Sequence, residues 1–240
     1  FMEGYVASGR YLSMMEEVFK KEGLPTELTR LPFVESSFNL KARSKVGASG
    51  IWQFMRSTGK LYLKIRAGVD ERNDPIRATE AAAKLLRQNY ESLGNWPLAV
   101  TAYNHGRMGL MRAVRQTGSD RLEDIVTDYR SRSFGFASSN FFTCLLAALD
   151  VEKNSDKYFG KLKRELPLKY YEVSLPQSIA LKELNRYFKF PKDALQELNP
   201  ALSEAHWRGG EHLPAGYQLR LPLADGANPD QEKRLFLVGY

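Results

Sequence analysis

Cysteine is almost missing from this sequence. Cys144 is the only one in 240 residues, which excludes an intramolecular disulfide and a cysteine-based zinc site. It sits in the apolar run FFTCLLAAL, which predicts a buried structural thiol. No run reaches the roughly 18 consecutive apolar residues that a membrane-spanning helix needs. The start, FMEGYVASGRYL, lacks the charged-then-apolar pattern of an export signal, so any such signal or anchor is expected outside this sequence. No dense Lys/Arg block with interleaved aromatics occurs, which argues against nucleic acid as a partner. His105, His206 and His212 form neither an HExxH pattern nor a cluster with cysteine, so no metal centre is expected. A phosphate-loop glycine pattern is missing as well, and Ser36 and Ser49 lack the context of a nucleophile elbow.

What is present suffices for a folded protein. Hydrophobic residues make up 43% of the chain, enough for a core and too many for global disorder. The length allows one large domain, or a medium domain with a small one. Lys and Arg number 35 against 28 Asp and Glu, a net charge of +7. That balance fits an anionic partner such as an acidic wall polymer, and equally a solvated surface with a basic excess.

Through residue 155 the pattern is helical, with almost no alternation of period two. Leu12, Met15, Val18 and Phe19 predict a helix over 10–22, ended by Gly23. Pro25 opens the next, where a missing N–H does no harm, and Pro32 predicts a kink in it. Residues 36–50 read as a Ser- and Gly-rich loop, 51–66 as a helix and 68–75 as a polar turn. Further helices are predicted over 76–93, 96–103, 107–116, 121–130 and 137–153. The charged stretch 156–168 reads as a linker. Residues 169–175 alternate as a strand. Two short helices follow at 178–188 and 191–198, then a turn at Asn199-Pro200 and a second strand ending at Pro222. Residues 234–240 read as the start of another strand. The expected fold is therefore mainly α, an all-α domain over 1–160 followed by a small β-α-α-β unit with its tail over 165–240.

Glu35 is the candidate for chemistry. Leu28 and Leu31 share a helical face, and Glu35 falls between them viewed down the axis. An acid on an apolar face is desolvated, which raises its pKa and keeps it protonated. A general acid at neutral pH requires that state. The competing reading is a helix-terminal acid paired with Arg30 or Lys41.

Three motifs occur in order around this residue: Glu35-Ser36; Gly47-Ala48-Ser49-Gly50-Ile51-Trp52-Gln53-Phe54-Met55; and Ala102-Tyr103-Asn104-His105-Gly106. With them, residues 24–118 resemble the catalytic domain of the soluble lytic transglycosylases of bacterial peptidoglycan, whose fold is similar to goose-type lysozyme. Trp52-Gln53 and the turn VDERNDP at 69–75 resemble the membrane-bound type D branch. The resemblance implies that Glu35 is the single catalytic carboxyl, acid and then base, in a reaction that leaves a 1,6-anhydro end. It implies that Ser44 contacts the acetamido group or the C6 hydroxyl, that Gln53 and Met55 line sugar subsites with the Gly50 backbone nearby, and that Tyr103 hydrogen-bonds near Glu35. Asn104 is expected at the groove, shaping the turn after Tyr103. Trp52 reads as core, Ser36 as a turn residue, and a structural Tyr103 bonded to a backbone group is the alternative to a functional one. Relatives often carry Glu-Thr before the last catalytic helix, where this chain has Ala137-Ser138, so a second groove acid is missing by that loose alignment. The implied setting is the periplasm or cell envelope, with peptidoglycan strands as partner, no cofactor, a monomer, and any membrane anchor outside this sequence.

Residues 169–223 resemble a LysM-like module through LQELNP at 195–200, LPAGY at 213–217 and LRLP at 219–222. The opening strand lacks the usual Gly-Asp/Glu-Thr turn and has Pro176-Gln177-Ser178 instead. Both a glycan-binding role and a structural capping role stay open. Two rivals to transglycosylation also stay open: a lysozyme-like hydrolase, and a wall-binding protein without catalysis.

Overall fold

Leu12, Met15 and Phe19 repeat at helical spacing and are buried along one face of the second helix. That face is where the N-terminal half of the chain begins to build its core. The computed structural model describes residues 1–239. In chain order it runs α1 (Met2–Ser8), α2 (Leu12–Lys21), a 3₁₀ turn (Thr26–Arg30), α3 (Leu31–Glu35), α4 (Arg56–Gly59), β1 (Ile65–Arg66), β2 (Val69–Asp70) and α5 (Pro75–Leu93). It continues with α6 (Trp96–His105), α7 (Arg107–Thr117), α8 (Leu122–Asp128), α9 (Phe136–Lys153) and α10 (Ser155–Phe159). The C-terminal unit contains β3 (Tyr170–Ser174), β4 (Ile179–Ala180), α11 (Leu181–Phe188), α12 (Lys192–Leu198), α13 (Glu204–Trp207), β5 (His212–Leu213), β6 (Gln218–Pro222) and α14 (Pro229–Gly239). Among the described residues, no helix is long and apolar enough to cross a membrane.

Helix α5 is the backbone of the N-terminal half. Asp74 caps it by accepting the N–H groups of Ile76 and Arg77, Pro75 opens it, and Gly94 closes it at φ +80°. Its alanines at 78, 81, 82 and 83 are buried, which lets α2 and α6 approach closely. Trp52, wholly buried, stacks on Phe19 and donates its indole N–H to Thr79 Oγ1 at 2.8 Å. Trp52 is core, as its position in an apolar stretch predicts.

Four local expectations are corrected. The stretch 51–66 is not one helix: Gly50 and Gln53 take left-handed φ values of +78° and +48°, and only Arg56–Gly59 is helical. Its apolar side chains Ile51, Trp52 and Phe54 enter the core from a turn instead. Pro32 makes no kink, because it stands at the start of the separate helix α3. Cys144 is exposed; the buried stripe of α9 runs through Phe141, Leu145 and Ala148, and Cys144 lies off it. The stretch 234–239 is helical, within α14, capped where Asn228 Oδ1 accepts from Asp230 and Gln231; Tyr240 lies outside the described residues.

In the C-terminal unit β3 runs antiparallel to β6, from Tyr170 opposite Pro222 to Ser174 opposite Gln218, and encloses β4, the helices α11, α12 and α13, and β5, one helix and two short strands more than the expected β-α-α-β order. Its core includes Val69 from the β1–β2 hairpin. The two halves are joined by buried ionic contacts. Arg220 Nη1 donates to Asp74 Oδ2 at 2.6 Å, and both side chains are over nine-tenths buried. Glu172 bridges Arg77 at 2.9 Å and Arg220 at 3.3 Å. Backbone bonds add to this: Asp70 N–H to Ala201 O and Ser203 N–H to Gly68 O, each at 2.8 Å. The stretch 161–169 is pinned along α1 and the following turn, with Glu165 N–H donating to Val6 O at 3.0 Å.

Candidate active site

Glu35 is the last residue of α3, and the chain must reverse immediately after it. Ser37 and Phe38 make the reversal with φ of +50° and +57°, and Phe38 turns into the core against Phe33. Ser36 Oγ donates to the Ile51 carbonyl at 2.8 Å. That bond ties the end of α3 to the turn at 47–55, so Glu35 and the second sequence motif form one unit.

A cavity of about 350 Å³ opens beside Glu35. Of the predicted site residues, Ser44, Gln53, Met55, Tyr103 and Asn104 line it together with Glu35. Gly50 does not. Its place is structural: a Cβ there would overlap the carbonyl of Arg72, and its φ of +78° disfavours any other residue. Ser44 closes a tight loop, where its N–H donates to Ala48 O and its Oγ accepts from Ala48 N–H, both at 3.0 Å. Gln53 gives its amide hydrogens to Gly50 O at 2.8 Å and Ala42 O at 3.2 Å. Among the described residues, none hydrogen-bonds its Oε1, which leaves an acceptor available to a ligand. Met55 is 39% exposed and offers an apolar wall.

Among the described residues, Glu35 makes no ion pair. Arg30 instead pairs with Glu16 and Glu152 on the opposite side, and Lys41 faces another cleft. Burial without a cation pushes the Glu35 carboxyl up to about 8, so the proton stays on at neutral pH. Tyr103 donates its hydroxyl to Trp52 O at 2.9 Å. This is the structural alternative for Tyr103, a bond to backbone, yet the ring still walls the cavity. Burial first, and the nearby Glu35 charge second, push the phenol well above its usual range. Asn104 lies inside α6, which runs to His105, two residues beyond the predicted end; Gly106 at φ +90° makes the turn. Its Oδ1 accepts from Ser138 Oγ at 2.8 Å. Ser138 is therefore engaged at the cavity edge, and Ala137 beside it is exposed.

Sequence reasoning passed over Val46, Thr58 and Leu85, which also line the cavity, and above all Arg72. This buried guanidinium donates from Nη1 to Gly47 O at 2.8 Å and to Phe54 O at 3.1 Å. Its Nε and Nη2 form a forked pair with Asp70 at 3.0 and 2.7 Å. Arg72 thus clamps both ends of the groove turn. Its only advance signal was the charged turn VDERNDP. Among the described residues, no group of three or more His, Cys, Asp or Glu stands close enough to hold a metal ion.

The membrane-bound lytic murein transglycosylase D of Escherichia coli strain K12 is 35% identical over 154 residues, covering 63% of this chain and 33% of that protein. This chain thus spans about a third of the length of that relative. Two solved structures share about 20% identity and cover 63% of this chain and 25% of theirs: the 70 kDa soluble lytic transglycosylase of Escherichia coli, TM-score 0.49, and an inactive mutant of the lytic transglycosylase Slt of Pseudomonas aeruginosa, TM-score 0.48. Residues 14–126, which hold Glu35, the groove turn and Tyr103, match the family model described as the Transglycosylase SLT domain.

Proposed function

We propose that this chain is a peptidoglycan lytic transglycosylase with a lysozyme-like catalytic half, and that Glu35 is its single acid and base. The observation that carries the reading is a lone protonated carboxyl: among the described residues Glu35 is the only acid lining its cavity, and burial holds its pKa at about 8. The common glycosidase scheme needs two carboxyl groups, whereas an intramolecular displacement needs one.

In this mechanism the Glu35 carboxyl donates its proton to the oxygen linking N-acetylmuramic acid to N-acetylglucosamine. The C1–O bond breaks and the leaving sugar departs with that proton on its O4. The substrate's acetamido group supports C1 meanwhile. The Glu35 carboxylate then takes the proton of the muramyl C6 hydroxyl, and O6 bonds to C1. The acid is restored, no water is consumed, and the product ends in a 1,6-anhydro ring. The acceptor Oε1 of Gln53, the Ser44 hydroxyl and the Met55 wall are assigned to sugar binding. Tyr103 positions the Trp52 carbonyl and walls the subsite, and Asn104 frames its far edge. The setting is the cell envelope, with peptidoglycan strands as partner. The antiparallel β3–β6 pair with short helices between its strands supports a LysM-like C-terminal unit.

A turbidity assay on purified cell walls tests the reading. Wild-type protein is expected to lyse the walls, and Glu35→Gln to sediment with them without lysis. Equally negligible lysis by both would overturn it and leave a wall-binding protein.

A further inference from the structure

The loop 40–48 has two faces. Ser44, Val46 and Ala48 face the Glu35 cavity, while Leu40, Lys41 and Arg43 face a second cleft of about 450 Å³. That cleft lies where the catalytic half meets the C-terminal unit, whose Glu197, Glu204 and Trp207 form its other wall. The loop between the cavities is held on both sides. Gly50 N–H donates to Ala42 O at 3.1 Å, and Arg72 holds Gly47. The two cavities therefore share this loop as a common wall.

The charges of the cleft are sorted by wall. Lys41 and Arg43 are exposed, and their side chains make no ion pair or hydrogen bond with any described residue. Glu197 has only the half-exposed Arg10 as ion-pair partner, at 2.6 Å. Glu204 has only Arg208, at 4.0 Å, with both side chains at least 70% exposed. Such exposed pairs hold their groups weakly. A polyanion would gain from the first wall and be repelled by the second. A short chain carrying carboxylates on one side and an amine on the other gains from both. The half-buried Trp207 supplies an apolar surface between them.

We propose that this cleft binds the zwitterionic peptide branch borne by the glycan strand, its carboxylates on Lys41 and Arg43 and its amine at Glu204 and Glu197. This rests on the transglycosylase reading and makes the C-terminal unit part of substrate binding. The loop 40–48 couples the two sites, so the enzyme reads a peptide branch next to the sugar bond it cuts.

The test compares glycan strands that keep their peptides with strands stripped by an amidase, using wild type, the double variant Lys41→Glu/Arg43→Glu, and Trp207→Ala. On peptide-bearing strands both variants are expected to raise KM about tenfold with kcat unchanged. On stripped strands all three proteins behave alike. Equal KM for wild type on the two substrates, or an equal change on both in the variants, would overturn the proposal. A second arm titrates a synthetic peptide with two carboxylates and a free amine into Glu35→Gln by calorimetry. Binding that disappears on adding Lys41→Glu/Arg43→Glu supports the cleft; no binding to Glu35→Gln overturns it. This arm needs no turnover, so failure of the catalytic reading, seen as no cleavage of either strand by wild type, is distinguished from failure of the cleft.

Discussion

The hydroxyl of Tyr103 donates to the carbonyl oxygen of Trp52 at 2.9 Å. One partner is on α6 and the other on the turn that follows the loop, so the bond fixes the back wall of the Glu35 cavity. Tyr103→Phe removes the bond and leaves a buried carbonyl unpaired, at a cost of about 1–3 kcal/mol. Its expected signature is a lowered Tm and a raised KM, measured by thermal melting and by lysis kinetics at several wall concentrations.

As the proposed general acid, Glu35 sets a pH limit. The general acid must be protonated, and its pKa stands at about 8, so lysis is expected to be flat through neutral pH and to fall as pH rises past about 8. A rate profile from pH 5 to 10, with circular dichroism to confirm folding, checks this.

The same burial makes Glu35 a stability liability. Its folded pKa is raised from 4.5 to about 8, so the folded state holds the proton more tightly than the unfolded one. Stability from this group is complete below about 4.5 and falls by roughly 1.4 kcal/mol per pH unit as pH rises toward 8. Glu35→Gln abolishes that slope. It should melt higher than wild type at pH 8, with the gap closing at pH 4.5, while losing at least about 10²-fold in activity.

Arg72 joins Asp70 to the carbonyls of Gly47 and Phe54. Arg72→Met leaves those carbonyls and the Asp70 charge without their partner, a loss of about 3–5 kcal/mol. Arg72→Lys keeps the charge but loses the fork, and is expected to fold while kcat drops more than Tm predicts. Urea titration and lysis kinetics on the two variants separate the effects.

Arg220 and Asp74 join the two halves through a pair that is almost wholly buried. Asp74 also caps α5, so Asp74→Asn keeps part of the cap and loses the ion pair, whereas Arg220→Met leaves an unpaired buried carboxylate. Arg220→Met is therefore expected to be the worse of the two, by more than about 1 kcal/mol, read as earlier proteolysis in the stretch 161–169 and a lower urea midpoint.

The helices were legible where caps and periodicity agreed. Asp74-Pro75 opens α5 and Gly94 ends it, and Gly118 likewise closes α7 at φ +68°. The cavity was legible as a set of motifs, because Glu35, Ser44, Gln53, Met55, Tyr103 and Asn104 do line one space. The turn at 50–55 was not. Its apolar residues have a helical look, but the left-handed Gly50 and Gln53 are chosen by contacts with Arg72 and Ala42 far along the chain or across the loop. The short apolar end LFLV fits strand or helix equally well by pattern, and the Asn228 cap upstream decides for helix. The Tyr103 bond and the Arg72 clamp are tertiary, joining residues 51 and 18–25 positions apart, and no local pattern announces them.

The central claim is that one carboxyl cuts the strand without water. Mass analysis of muropeptides released from purified peptidoglycan tests it most directly. The account predicts 1,6-anhydro-N-acetylmuramic acid ends from wild type and none from Glu35→Gln. Reducing ends that carry one added water in place of the anhydro ring would contradict it and assign the cavity to hydrolysis.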